Sequence, residues 1–288
     1  MPFVLAIVSS ALYGVADFMG GMASRRGPVI AVTAWFQLSG LVVLVVYALF
    51  VRGVTRPTDL AWAAAAGVAG GLGVTLLYRA LATGTVSTAA PLISMIALTV
   101  PVIVGLAMGE RPGVPALAGI GLGLVAVALI SAHQAPAAAG GRDGGMATRA
   151  PSARSVLPLA LASGVLIGLF LVFLGRVAPG ASGWPLVAGR ASATVCLLVV
   201  LMATRTRPSL PAAARAPMLG AALTDVSANV LYLLAVQRAP LSLVATLVSL
   251  APATTVLMAQ VVLRERLTAA QKGGVAVALL AVVLLAQG

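Results

Sequence analysis

From Phe3 to Gln287 the sequence repeats one pattern ten times: a long apolar run, then a short polar break. The runs fall near 3–23, 29–51, 60–82, 86–108, 114–132, 156–175, 184–203, 218–237, 241–263 and 269–287. A bilayer core about 30 Å thick needs about 20 helical residues to cross. Hydrocarbon offers backbone N–H and C=O groups no partner, and a single segment can pair them all only as a helix. The spacing therefore predicts an all-α membrane protein of ten transmembrane helices. Composition agrees. Residues are 61% hydrophobic and 8% charged, with a mean hydropathy of +1.11, and a water-soluble chain with so little charge could not cover its own surface. The first run lacks a basic lead-in and continues past any small-residue cleavage site, so a cleaved signal peptide is not expected.

The formal net charge of +12 is carried almost entirely by arginine. On a soluble chain it would suggest nucleic acid. Here the arginines stand singly or in pairs between apolar runs, which suits topology signals and lipid headgroups, so nucleic acid is not an expected partner. Cys196 and His133 are each the sole residue of their kind, which excludes an intrachain disulfide and a His/Cys metal cluster. No cofactor or metal is expected. Trp35, Trp62 and Trp184 stand near span ends or in outer turns, where tryptophan anchors a helix at the interface.

Most breaks are short, as in "SRRGP", "GERPG" and "QRAP". One differs: "HQAPAAAGGRDGGMATRAPSARS" (133–155) is rich in Ala, Gly, Pro and Arg and has no apolar period. It reads as a flexible linker between a first repeat, 1–132, and a second, 156–288. The two halves align. With Glu110-Arg111 laid over Glu265-Arg266, Gly119 meets Gly274, Ser94 meets Ser249 and Thr99 meets Thr254. With one residue of slip, "LAIVSSALYG" lies over "LALASGVLIG", pairing Ser9 with Ser163 and Gly14 with Gly168. Five crossings separate equivalent points, an odd number, so equivalent loops are expected on opposite faces of the membrane. This is an inverted-topology repeat, an arrangement common in secondary transporters.

Together these stretches resemble the EamA-type branch of the drug/metabolite transporter superfamily. The resemblance rests on "ALYGVADFMGGMASRR" in the first span, the fifth-span segment from Glu110, and "PLSLVATLVSLAPATTVLMAQVVLRERLTAAQKGGVAVALLAVVLL". It covers nearly the whole chain outside the linker. It implies ten helices as two inverted five-helix EamA repeats, alternating access, and a place in a bacterial-type plasma or inner membrane. It also implies that export is the direction of transport. There are departures: Tyr13 stands where tryptophan is common, and Pro252 has Ala97 as its counterpart in the first repeat, with Pro101 nearby. The resemblance suggests cytoplasmic termini, whereas the basic residues, counted loop by loop, place the termini on the other side. Homodimerisation is left open.

Charge inside hydrocarbon costs at least about 2.5–3.5 kcal/mol at a helix centre, so each case is a functional candidate. Asp17 lies in span 1, Arg190 in span 7 and Asp225 in span 8, with Gln37 and Asn229 adding polar groups in spans 2 and 8. Counting along the helices puts Asp17, Gln37 and Asp225 at one depth, with Asn229 a turn from Asp225. Arg190 falls on the order of 10 Å away, able to reach a carboxylate only when extended. These five form the expected site for substrate and protons. A carboxylate kept from water favours its protonated form, so it can trade a proton for a cationic substrate. Two other outcomes are open: Asp17 and Asp225 serving only as interhelical hydrogen-bond partners, and Arg190 acting either as their counter-ion or as a clamp for a substrate carboxylate. Pro91, Pro101 and Pro252 free backbone carbonyls and mark either hinges or static kinks. Glu110, just before Pro112, is expected to favour the start of span 5.

The expected function is thus a secondary transporter, not an enzyme, moving a small polar or amphiphilic metabolite, with proton coupling as one mode. Its partners would be that small molecule and the lipid bilayer. The alternatives are an intramembrane lipid-modifying enzyme, which would need clustered His, Asp, Arg or Cys near the interface, and a channel-like membrane protein.

Overall fold

The apolar runs are realised as helices, the ninth as two. The computed structural model describes residues 1–83, 86–131, 153–204 and 209–287. Within them lie α1 (Pro2–Ser24), α2 (Val29–Phe50), α3 (Pro57–Thr83), α4 (Val86–Ala107), α5 (Val114–Ser131) and α6 (Ala153–Leu174). Then follow α7 (Trp184–Thr204), α8 (Ala212–Val236), α9 (Leu241–Val248), α10 (Ala251–Leu263) and α11 (Ala269–Leu285). Among the described residues there is no strand, only an isolated bridge between Val54 and Ala181. Eight segments are long and apolar enough to cross a membrane, and Leu92–Ala107 and Ala269–Leu285 are shorter apolar helices. The chain is an integral, multi-pass membrane protein. The expected linker, 133–155, lies outside the described residues up to residue 152, and α6 begins at Ala153.

Two boundaries differ from the sequence reading for a physical reason. Helix α8 starts at Ala212 rather than near 218, with Pro217 inside it. Proline has no N–H to give the carbonyl four residues back, and that carbonyl, on Ala213, accepts from Arg26 Nη1 at 3.2 Å instead. The ninth apolar run is two helices, not one. Pro252 cannot bond to the carbonyl of Val248, and the chain turns at Ser249 and Leu250 before α10 begins.

Lipid is as apolar as leucine, so helices in a membrane associate through close packing and hydrogen bonds rather than water exclusion. The buried positions are accordingly small: Ala6, Ala63, Ala116, Ala126, Ala228 and Ala281 are completely inaccessible. Large residues such as Val42, Leu49, Phe50, Val261 and Leu279 face outward.

The same contacts occur twice, each half reaching across to the other. Ser9 Oγ on α1 donates to the Ala228 carbonyl on α8, and Ser163 Oγ on α6 donates to the Gly73 carbonyl on α3, both at 2.8 Å. Gly14 lets α1 press on the backbone of α10, where an added Cβ would lie 2.5 Å from the Ala251 oxygen. Gly168 does this for α6 on α4, at 3.0 Å from the Ala97 oxygen. Gly119 on α5 and Gly274 on α11 face the Ala281 and Ala126 oxygens, each at 3.2 Å. These residues are the matched pairs of the sequence alignment.

Candidate functional site

Helices α1, α2, α7 and α8 bring the expected polar residues together. Tyr13 and Asp17 are one turn apart on α1, as are Gln37 and Gly40 on α2 and Asp225 and Asn229 on α8, so each pair shares a helix face. Arg190 extends from α7, and its Nη1 donates to Asp225 Oδ2 at 2.8 Å. Asn229 Nδ2 donates to the same oxygen at 3.2 Å and to the Asp225 carbonyl at 2.8 Å. Both charged side chains are largely shielded, at 11% and 16% exposure for Arg190 and Asp225. The separation expected from axial counting is therefore closed by the length of the arginine side chain.

Two α2 residues shape this pair. The guanidinium carbon of Arg190 lies 4.6 Å from the centre of the Phe36 ring, a cation–π contact. It also packs on Gly40, where any Cβ would overlap Nη2. Two Arg190 donors, Nε and Nη2, together with Gln37 Oε1 and the Tyr13 hydroxyl, are buried without a hydrogen-bond partner among the described residues. Tyr13 lies in the combined field of Asp225, Arg190 and Asp17. Unmet buried polar groups cost about 1–3 kcal/mol each, which makes such a cluster a place where a ligand or water has bonds to complete.

Asp17 is placed differently from Asp225. It makes no ion pair or hydrogen bond among the described residues and lines a cavity of about 390 Å3 between α1, α10 and the start of α11. Phe18, Met22 and Val256 give this cavity an apolar wall, and Thr255, Arg25 and Glu265 supply polar groups, with Arg25 and Glu265 3.8 Å apart. Of the five expected residues, Arg190, Asp225 and Asn229 are bonded directly. Asp17 lies on α1, which packs along α8, and faces the cavity. Gln37 sits one turn from Gly40, against which Arg190 packs.

Sequence reasoning passed over Tyr13, Phe36 and Gly40 as site residues. Tyr13 carried a signal: it stands four residues before Asp17 and so on its face. The apolar Phe36 and the bare Gly40 carried none. The expectation for Glu110 is corrected. Its carboxylate does not serve α5. Oε1 accepts from Leu241 N at 2.6 Å and Oε2 from Ser242 N at 3.0 Å, so it caps α9. The reason is local: Gly109 takes φ of +93°, a conformation open to glycine. The chain there turns back over α4, where Glu110 N bonds the Gly105 carbonyl at 3.1 Å.

Comparison with known proteins agrees with this architecture. No curated protein matches the sequence. One solved crystal structure of a protein is 19% identical, spans 98% of this chain and 95% of its own, and superimposes with a TM-score of 0.76, a likeness of fold. The EamA-like transporter family matches residues 1–132 and again 154–287. The chain carries two EamA units and belongs to the EamA-like transporter family.

Proposed function

We propose that this transporter moves a small polar or amphiphilic metabolite outward by alternating access between two inverted repeats, 1–132 and 156–288, with ten crossings in all. The site in this reading is formed by Asp17, Gln37, Arg190, Asp225 and Asn229, with Tyr13, whose hydroxyl is buried without a partner among the described residues, as a sixth member. One observation carries the reading: an ion pair, Arg190–Asp225, is held between helices beside a second carboxylate, Asp17, that lines a cavity. A permanently satisfied pair would serve packing alone. A pair with unmet donors on Arg190, next to an unpaired acid, has bonds to offer an incoming molecule.

In this account a substrate enters along Asp17 and competes for Arg190 and Asp225. A cationic group would meet the carboxylates, and an anionic group the free edge of the guanidinium. Asp17 is the group that takes up and releases a proton as the cavity changes sides, which couples the two flows. The matched contacts of Ser9 with Ser163 and of Gly14 with Gly168 support two equivalent bundles able to exchange roles.

The test has two stages. Purified protein is screened for thermal stabilisation by metabolite and drug panels at two pH values, since a ligand of the folded state raises its melting temperature. Transport of the hit is then measured in proteoliposomes. Asp225→Asn is expected to abolish transport while the protein inserts normally. Asp17→Asn is expected to remove the dependence on an imposed pH gradient. Normal transport by Asp225→Asn would overturn the site, and an unchanged gradient dependence in Asp17→Asn would overturn proton coupling.

A further inference from the structure

Glu110 takes no part in the site above, yet it joins the two repeats through two hydrogen bonds. Its carboxylate receives the first two amides of α9, from Leu241 and Ser242, 131 and 132 residues later in the chain. The helix provides no cap of its own, because its N-cap residue is Pro240. Gly105 makes the contact possible: a Cβ there would overlap Glu110 Oε2. All eight residues of α9 are buried. A carboxylate of the first repeat thus holds down the start of a helix of the second, in charge-assisted bonds that are about twice as strong as neutral ones.

The equivalent turn in the second repeat is built alike but left open. Arg264 takes a positive φ of 55° where the first repeat has Gly109. Glu265, the counterpart of Glu110, is half exposed at the rim of the Asp17 cavity and, among the described residues, reaches Arg25 alone, at 3.8 Å. Gln260 occupies the position equivalent to Gly105, so the second repeat lacks the notch that seats the carboxylate. One turn is closed by a capped helix, and its twin borders a cavity.

We infer that Glu110 is a one-sided latch. Seated on α9, it keeps the Glu110 face shut and the Asp17 cavity open at the other. Its release lets α9 swing about the break at Ser249–Leu250, opening the Glu110 face as the cavity closes. This rests on the alternating-access reading. The missing notch at Gln260 makes the latch unequal, so the resting protein favours the state seen here. Glu110 is a positioning residue: it acts through α9 and touches no substrate.

Reporter cysteines test this in the full chain in liposomes, with Cys196→Ser as background. Ala245→Cys reports on buried α9, and Ala259→Cys reports on the cavity wall. Both are read as labelling rates with a membrane-permeant maleimide, which needs no known substrate. Glu110→Gln keeps the shape and loses the charge. It is expected to raise labelling at 245 and lower it at 259, so that the ratio of the two rates changes about tenfold or more, as the loss of one charge-assisted bond would shift a two-state balance. Gly105→Ala unseats the carboxylate without altering it and is expected to give the same reciprocal shift, which guards against misfolding of the first variant. A rise at 245 with no fall at 259 would make Glu110 a structural cap and overturn the latch. Unchanged rates at both positions would overturn the latch and leave alternating access standing. A rise at both would overturn the latch and alternating access together.

Discussion

Charge within the described residues is answered wherever it is buried, whereas Asp17, which has no partner among them, is exposed to its cavity. Asp59, 3% exposed, accepts from the Ala178 amide at 2.9 Å, Glu110 holds two amides, and Asp225 holds Arg190 and Asn229. Breaking a buried pair by removing one partner costs about 3–5 kcal/mol, because the other charge is left uncompensated. Arg190→Ala is expected to destabilise the protein by about that amount, and Arg190→Ala with Asp225→Ala by less than the sum of the two single changes. Unfolding of the purified variants in detergent reads this, and additive losses would show that the two residues are not coupled. Gly40→Ala is expected to act in the same direction, because its Cβ would displace the guanidinium. Much of this site could be read from the sequence. Asp17, Arg190 and Asp225 stand out as charges in apolar runs, and counting along a helix gives their depth. Counting says nothing of which way a helix is turned, so the shelf of Phe36 and Gly40 beneath Arg190 was invisible.

At the scale of helices, the serine bonds are the clearest handle. Ser9 and Ser163 make the same bond in the two repeats, at the same length. Side-chain hydrogen bonds between membrane helices contribute about 0.6 kcal/mol on average and up to about 1.7. Ser9→Ala and Ser163→Ala are therefore expected to cost about 1 kcal/mol each, within a few tenths of one another. Unequal losses in detergent unfolding would show that the two interfaces do different work. Pro252→Ala would restore an N–H opposite the Val248 carbonyl and join α9 to α10. The joined helix is expected to make the protein more stable and its transport slower, and faster transport would contradict a hinge at the break. The existence of most helices followed from hydropathy alone, and the proline correctly marked a discontinuity in the ninth run. The destination of Glu110 did not follow. Its partners lie 131 and 132 residues away, and only the folded packing of α4 against α9 brings them within reach. The early start of α8 was hidden for a similar reason, since the carbonyl freed by Pro217 is satisfied by Arg26 from the turn after α1.

For the molecule as a whole, the account depends on the two repeats crossing the membrane in opposite senses. Pattern matching revealed the repeat because glycines and serines at helix contacts tolerate few substitutes: Gly119 and Gly274 each face a backbone oxygen that leaves little room for a side chain. The sequence left the facing of the termini open, since the arginine count and the family resemblance point in opposite directions. The relation between the repeats can be measured without settling that question and without a known substrate. With Cys196→Ser as background, Arg111→Cys and Arg266→Cys, both at exposed positions in equivalent turns, are labelled separately in intact cells with a membrane-impermeant maleimide. The account predicts that one position labels from outside and the other only after the membrane is opened. Labelling of both from the same side would contradict the inverted repeat, and with it alternating access around Asp17 and Asp225.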